Sequence, residues 1–285
     1  MRGDLNVLSC MVGLCLLCFF QAGKAFSSET PFELAGGIIL VKASVNRMVP
    51  LTFILDTGAT ECLLVPQAAK LAGLGPTMGD GSPLANSVAV GDQVVPAIPF
   101  LVADPLQAIS LRLDRGINYA GILGYPFLSK CVFRIDYRRK TLDWFGGTGR
   151  DPAFHAPRNA ICVPFSLRSR LIHVSGLVNG RGPVTFLVDT GSAEVVLLPK
   201  AAELLRVPVS PGNRNDGIRF TTLDRIAVGK AIVTKTSAIV CQLQREGTGT
   251  LSYDGILGYP FLSHFRPTFN YGDKTLVLEP ISAPP

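Results

Sequence analysis

The chain has 285 residues, 47% of them hydrophobic and 17% charged, with a formal net charge of +6. That composition excludes a disordered chain and allows one large or two ordinary domains. The basic residues are scattered, and their one short cluster, Arg138-Arg139-Lys140, falls where a solvated hairpin tip is expected, so no nucleic-acid partner is predicted.

Taken in chain order, Arg2 precedes an apolar run from Leu5 to Phe20, and Gly23-Lys24-Ala25 supplies small residues at −3 and −1 of a cleavage site. This predicts a secretory signal peptide over residues 1–25, cut before Phe26, and an exported (secreted or periplasmic) protein. An uncleaved N-terminal anchor is the alternative, and it is the only membrane association expected. Cys10, Cys15 and Cys18 would leave with the signal. Cys62, Cys131, Cys162 and Cys241 remain, with two disulfides and buried free thiols equally open. The three histidines are dispersed and no metal-ligand spacing occurs, so neither a metal nor a cofactor is expected.

From residue 33 the chain reads as strand after strand. IILVKASV and LTFIL form a hairpin that ends on Asp56-Thr57-Gly58. A further apolar run leads into a short helix over Pro66–Leu71, with proline at its first position. Loop residues 73–83 follow, with Met78-Gly79-Asp80-Gly81 as a weak flap candidate. SVAVGDQVVPAIPFLV then reads as a second hairpin, AGILGYPFLS carries a possible short helix, and VFRIDYRRKTLDW closes the unit. Residues 149–159, rich in Gly and Pro, predict a linker.

After the linker the same sentence is written again. LIHVSGLV and VTFLV lead into Asp189-Thr190-Gly191, 133 positions after the first triplet, with a helix expected over 199–205 and a hairpin in DRIAVGKAIVTKTSAIV. Asp216-Gly217 is the matching flap candidate. DGILGYPFLS repeats AGILGYPFLS at an offset of 134. A period this long marks a duplicated domain and not a solenoid. The predicted units are a lobe over 33–148, the linker over 149–159 and a second lobe over 160–285.

A lone Asp-Thr-Gly would be an ordinary turn. Two copies, each after a buried strand and before a matched Ile-Leu-Gly, predict carboxylates meant to meet. Two adjacent carboxylates cannot both ionise easily, so the pair shares one proton, and one member can activate water while the other protonates a leaving group. The catalytic candidates are Asp56 and Asp189. Gly58 and Gly191 would free backbone N–H groups for them, and Thr57 and Thr190 would bond across to the opposite lobe. Gly124 and Gly258 would allow close backbone approach behind each triplet. Ala59 and Ser192 break the repeat, and Ser192 Oγ is expected to bond Asp189 and leave the shared proton on Asp56.

On these residues each half resembles a retropepsin-type aspartic peptidase domain: a hairpin into LDTGA or VDTGS, then GILGYPFL. The resemblance covers roughly 33–148 and 160–280. It implies an all-β, two-lobed acid-protease-like pseudodimer, each lobe a closed β barrel with one or two short helices. The implied function is an aspartic endopeptidase, monomeric, with an extended peptide or protein substrate between the lobes and no cofactor. A catalytically inactive peptide-binding protein of the same fold is the alternative.

Overall fold

The computed structural model describes residues 29–75, 82–103, 119–145, 154–210, 217–243 and 251–281. The leader, the start of the linker and the flap candidates Met78-Gly79-Asp80-Gly81 and Asp216 lie outside these residues.

The N-terminal lobe contains β1 (Glu29–Pro31), β2 (Glu33–Ala35), β3 (Ile38–Val45), β4 (Leu51–Leu55), β5 (Cys62–Leu64), β6 (Leu84–Val90), β7 (Gln93–Val102), β8 (Gly121–Leu123), β9 (Val132–Asp136) and β10 (Thr141–Phe145). Its two short helices are Pro66–Leu71 and Tyr125–Leu128. The C-terminal lobe repeats the order with β11 (Ile161–Pro164), β12 (Ser166–Arg168), β13 (Leu171–Val178), β14 (Arg181–Val188), β15 (Val195–Leu197), β16 (Arg219–Val228), β17 (Ala231–Val240), β18 (Gly255–Leu257), β19 (Phe265–Asn270) and β20 (Thr275–Pro280). Its helices are Pro199–Leu204 and Tyr259–Leu262. All four begin with proline at N1 or N2, where its missing N–H costs nothing.

In each lobe six strands close on themselves. The order β3-β4-β8-β5-β7-β6 returns to β3 through a β3–β6 pairing, and β13-β14-β18-β15-β17-β16 returns through β13–β16. Closure removes the sheet edges that an open sheet would expose. The two Asp-Thr-Gly triplets are placed by parallel pairing. Leu55 lies opposite Leu123 and Val188 opposite Leu257, so each triplet leaves its strand beside the glycine that ends Ile-Leu-Gly. β5, β8, β15 and β18 are buried along their full length, as strands inside a barrel wall require.

A third sheet joins the lobes, in the order β1-β10-β9-β19-β20-β11. Its centre is the antiparallel pair β9–β19, where Phe133 of one lobe faces Phe269 of the other. Their rings stack with centroids 4.9 Å apart, and both are fully buried. Beside them Arg134 donates to Asp143 (2.8 Å) and Glu279 (3.0 Å), and Arg266 donates to Glu279 (2.7 Å). Two guanidinium groups thus satisfy the Glu279 carboxylate, which is only 2% exposed.

The lobes, hairpins and helices stand as the sequence predicts, with the helix expected over 199–205 ending at Leu204. The three-residue strands β1, β2 and β12 were not read, because a run that short carries no periodicity. The joining sheet was likewise hidden, since β1 and β11 pair only with strands far away in the chain. The open cysteine question resolves to free thiols: Cys62, Cys131 and Cys241 are buried and unpaired, and Cys162 is exposed. Burial pushes the Cys62 and Cys131 thiols up to about 12. Among the described residues no helix is long and apolar enough to cross a membrane.

Removing the aromatic stack at the lobe boundary should be costly. Phe269→Ala is expected to lower global stability by about 3–5 kcal/mol, read as a shifted midpoint in urea unfolding followed by fluorescence.

Candidate active site

The two triplets meet on the pseudo-twofold axis and are locked to one another by four buried hydrogen bonds. The Thr57 hydroxyl donates to the Val188 carbonyl (2.9 Å) and accepts from the Thr190 N–H (3.0 Å). The Thr190 hydroxyl donates to the Leu55 carbonyl (2.8 Å) and accepts from the Thr57 N–H (3.0 Å). Both hydroxyls therefore act once as donor and once as acceptor, and both threonines are 1% exposed. This is the cross-lobe role that the sequence predicts for Thr57 and Thr190.

The aspartates follow from that lock. Gly58 N–H donates to Asp56 Oδ1 (2.7 Å), and Gly191 N–H donates to Asp189 Oδ1 (2.8 Å). Both glycines have a second duty. A Cβ placed on Gly58 would lie 2.5 Å from Cγ of Asp189, and one on Gly191 would lie 2.5 Å from Cγ of Asp56. Each carboxyl thus packs on the glycine of the other triplet, and the two carboxyl groups come within hydrogen-bonding reach of one another. Gly124 and Gly258 act as expected. A Cβ on Gly124 would lie 2.2 Å from the Glu61 carbonyl oxygen, and one on Gly258 2.3 Å from that of Glu194.

Burial raises the Asp56 pKa, against the lowering effect of hydrogen bonds from Asp189 and from the N–H groups of Gly58 and Ala59. Burial raises Asp189 well above the ordinary carboxylate value, and the charge on Asp56 and the hydrogen bond to it push the same way. Two carboxyls this close and this buried share one proton. Ser192 does not make the bond expected to Asp189. Its Oγ donates to the Glu194 carbonyl (2.9 Å) and accepts from the Glu194 N–H (3.4 Å). The hydroxyl caps the turn and has no bond to Asp189 that would hold it ionised.

Four tyrosines, which the sequence reading did not single out, surround this centre as a swapped pair of clamps. Tyr137 of the N-terminal lobe meets Tyr259 of the C-terminal lobe edge to face (5.4 Å), and Tyr271 meets Tyr125 likewise (5.8 Å). The hydroxyls of Tyr137 and Tyr271 are buried and have no hydrogen-bond partner among the described residues. Burial raises both of their pKa values, and the charge of Asp189 adds to the rise at Tyr137 as that of Asp56 does at Tyr271. The offset of 134 between Tyr137 and Tyr271, and between Tyr125 and Tyr259, is legible in the repeat and could have marked them.

Apolar side chains flank the aspartates on both sides. Ile38, Leu40, Ile54, Leu63 and Ile122 form a cluster that reaches Ala59 and Ala193, just beyond the two triplets. Leu187, Val196, Cys241 and Ile256 form its counterpart. Where the first wall has Leu40, the second has His173, whose Nδ1 lies 2.9 Å from the Leu171 carbonyl and whose Nε2 lies 2.9 Å from Ser252 Oγ. Burial lowers its pKa.

Two predictions follow from the geometry of the lock and the pair. Thr57→Val leaves the Val188 carbonyl and the Thr190 N–H without partners and should cost about 1–3 kcal/mol in thermal or urea unfolding. The raised carboxyls carry a pH dependence whose sign is fixed. Between the ordinary carboxylate pKa and the folded value, the native state binds more protons than the unfolded chain, so stability falls as pH rises through that window. Asp189→Asn removes most of this slope, and its melting temperature should exceed that of the parent at pH 7 but not at pH 4.

Comparison with known proteins agrees with this geometry. Residues 174–261, which hold the second triplet and its Ile-Leu-Gly, match the family model described as aspartyl protease. No curated protein matches the chain by sequence. Among solved structures, Basic 7S globulin from soybean aligns with a TM-score of 0.50 at 10% identity, covering 88% of this chain and 94% of the globulin. The second lobe is thus similar to the aspartyl protease family, and the whole chain shares a two-lobed, acid-protease-like fold.

Proposed function

We propose that the protein is an exported aspartic endopeptidase that hydrolyses peptide bonds between its lobes without metal or cofactor. The observation that carries this reading is the carboxyl pair, buried on the lobe boundary and sharing a proton. The ionised member of the Asp56/Asp189 pair accepts a proton from the attacking water. The protonated member hydrogen-bonds the scissile carbonyl, and a carboxyl then returns a proton to the departing amine. The crossed threonines supply preorganisation: the carboxyls are already in place before substrate arrives. An extended peptide suits the space between two apolar walls, in which alternate side chains enter each wall. A chain with both lobes needs no second copy, so the active species is a monomer.

A second reading is a peptide-binding protein of the same fold without turnover. It is favoured by the name of the aligned solved structure, which is a globulin. Cleavage of a proteome-derived peptide library separates the two. The parent protein should cut at acidic pH, and Asp56→Asn and Asp189→Asn should each reduce the rate by about 10²–10⁴-fold or more. Peptides bound but left intact by the parent protein would establish the second reading.

A further inference from the structure

The two lobes repeat one another closely enough that a mismatch between equivalent positions is informative. Arg170 lies in the two-residue turn between β12 and β13, and its guanidinium crosses the lobe boundary to Glu61, the Thr60 carbonyl (3.4 Å) and the face of Tyr125 (5.9 Å). Arg170 has φ +68°, a conformation that costs an arginine roughly 1 kcal/mol and a glycine almost nothing. Its place there is explained by what the side chain reaches.

Subtracting the offset of 133 gives the equivalent position in the other lobe, Gly37, with φ +89°. The equivalence is structural as well as numerical. A Cβ on Gly37 would lie 3.1 Å from the side chain of Tyr259, the counterpart of Tyr125. Glu194 is the counterpart of Glu61 at the same offset. Glu194 is exposed, and among the described residues its carboxylate has no cation and no hydrogen-bond donor. Burial alone raises its pKa, with no positive charge lowering it. One side of the lobe boundary therefore has a carboxylate with its guanidinium, and the other has the same carboxylate with a glycine where the guanidinium would be.

We propose that Glu194, which has at Gly37 no counterpart of the guanidinium that Arg170 gives Glu61, is a subsite for a cationic side chain, lysine or arginine, of the bound peptide. The proposal rests on the peptide-cleaving or peptide-binding reading of the cleft. Glu194 is five residues beyond Asp189, so it lies within about 18 Å of the catalytic carboxyl, the span of some five residues of extended chain. It is reached by a peptide that already occupies the cleft, through a residue two to five positions from the scissile bond. The chemistry it offers is that of Glu61 toward Arg170, with the cation supplied by the substrate. The consequence is polarity: a cleft of two equivalent halves accepts a peptide in either direction, and one unpaired carboxylate selects one.

The test is positional profiling of a proteome-derived peptide library with the parent protein, Glu194→Gln and Glu61→Gln. The parent should enrich Lys and Arg about fivefold at one position on one side of the cut, the size of a single exposed ion pair. The enrichment should vanish in Glu194→Gln, persist in Glu61→Gln and shrink in 1 M salt. No enrichment in the parent, or the same enrichment in Glu194→Gln, overturns the subsite while leaving the peptidase reading intact. Should the parent cut nothing, the endopeptidase reading fails, and the library retained on immobilised protein is scored in the same way. Retention that depends on Lys or Arg and on Glu194 then supports the subsite, and retention without that dependence overturns it.

Discussion

The catalytic geometry hangs on four hydrogen bonds between two threonines and the backbones of opposite lobes. Each is worth only about 1 kcal/mol net, but the three groups on each side would be buried without partners if the lobes shifted. The lock is therefore stiff for its size. It also explains why glycine must follow each threonine: the crossed backbones approach so closely that a methyl group on either glycine would occupy the position of the facing carboxyl. Burial of the carboxyls, their shared proton and their distance from bulk water are all consequences of this one contact.

Around the lock the molecule is twofold in outline and asymmetric in detail. The tyrosine clamps, the helices and the barrel closures repeat. Departures beside the cleft or the lobe boundary include Ala59 and Ser192, Leu40 and His173, and Gly37 and Arg170.

Much of this was legible in the sequence because duplication supplies its own control. A single Asp-Thr-Gly is noise, but the same triplet at an offset of 133, with proline-led helices and Ile-Leu-Gly in step, located the aspartates, the threonines and the barrels. What stayed hidden was set by contacts across the lobes. Ser192 had the right chemistry to bond Asp189, yet the Glu194 carbonyl two residues away captured its proton, a choice of rotamer that no pattern encodes. Arg170 reads as a solvated loop residue until the opposite lobe brings Glu61 to it. The joining sheet pairs segments from opposite ends of each lobe, and three-residue strands leave no periodic trace.

The pairing of β9 with β19 has a further consequence, for the time at which the site comes into being. Phe133 and Phe269 are 136 positions apart, so the central strands can join only after both lobes have been made. Contacts of such separation form late in folding because closing the loop must precede any gain from them. Either lobe can close its own barrel earlier, but a lobe by itself holds one carboxyl and not a pair. The carboxyl pair thus comes into being only when the two lobes join. Since both lobes belong to one polypeptide, that step is independent of protein concentration, and dilution does not undo it.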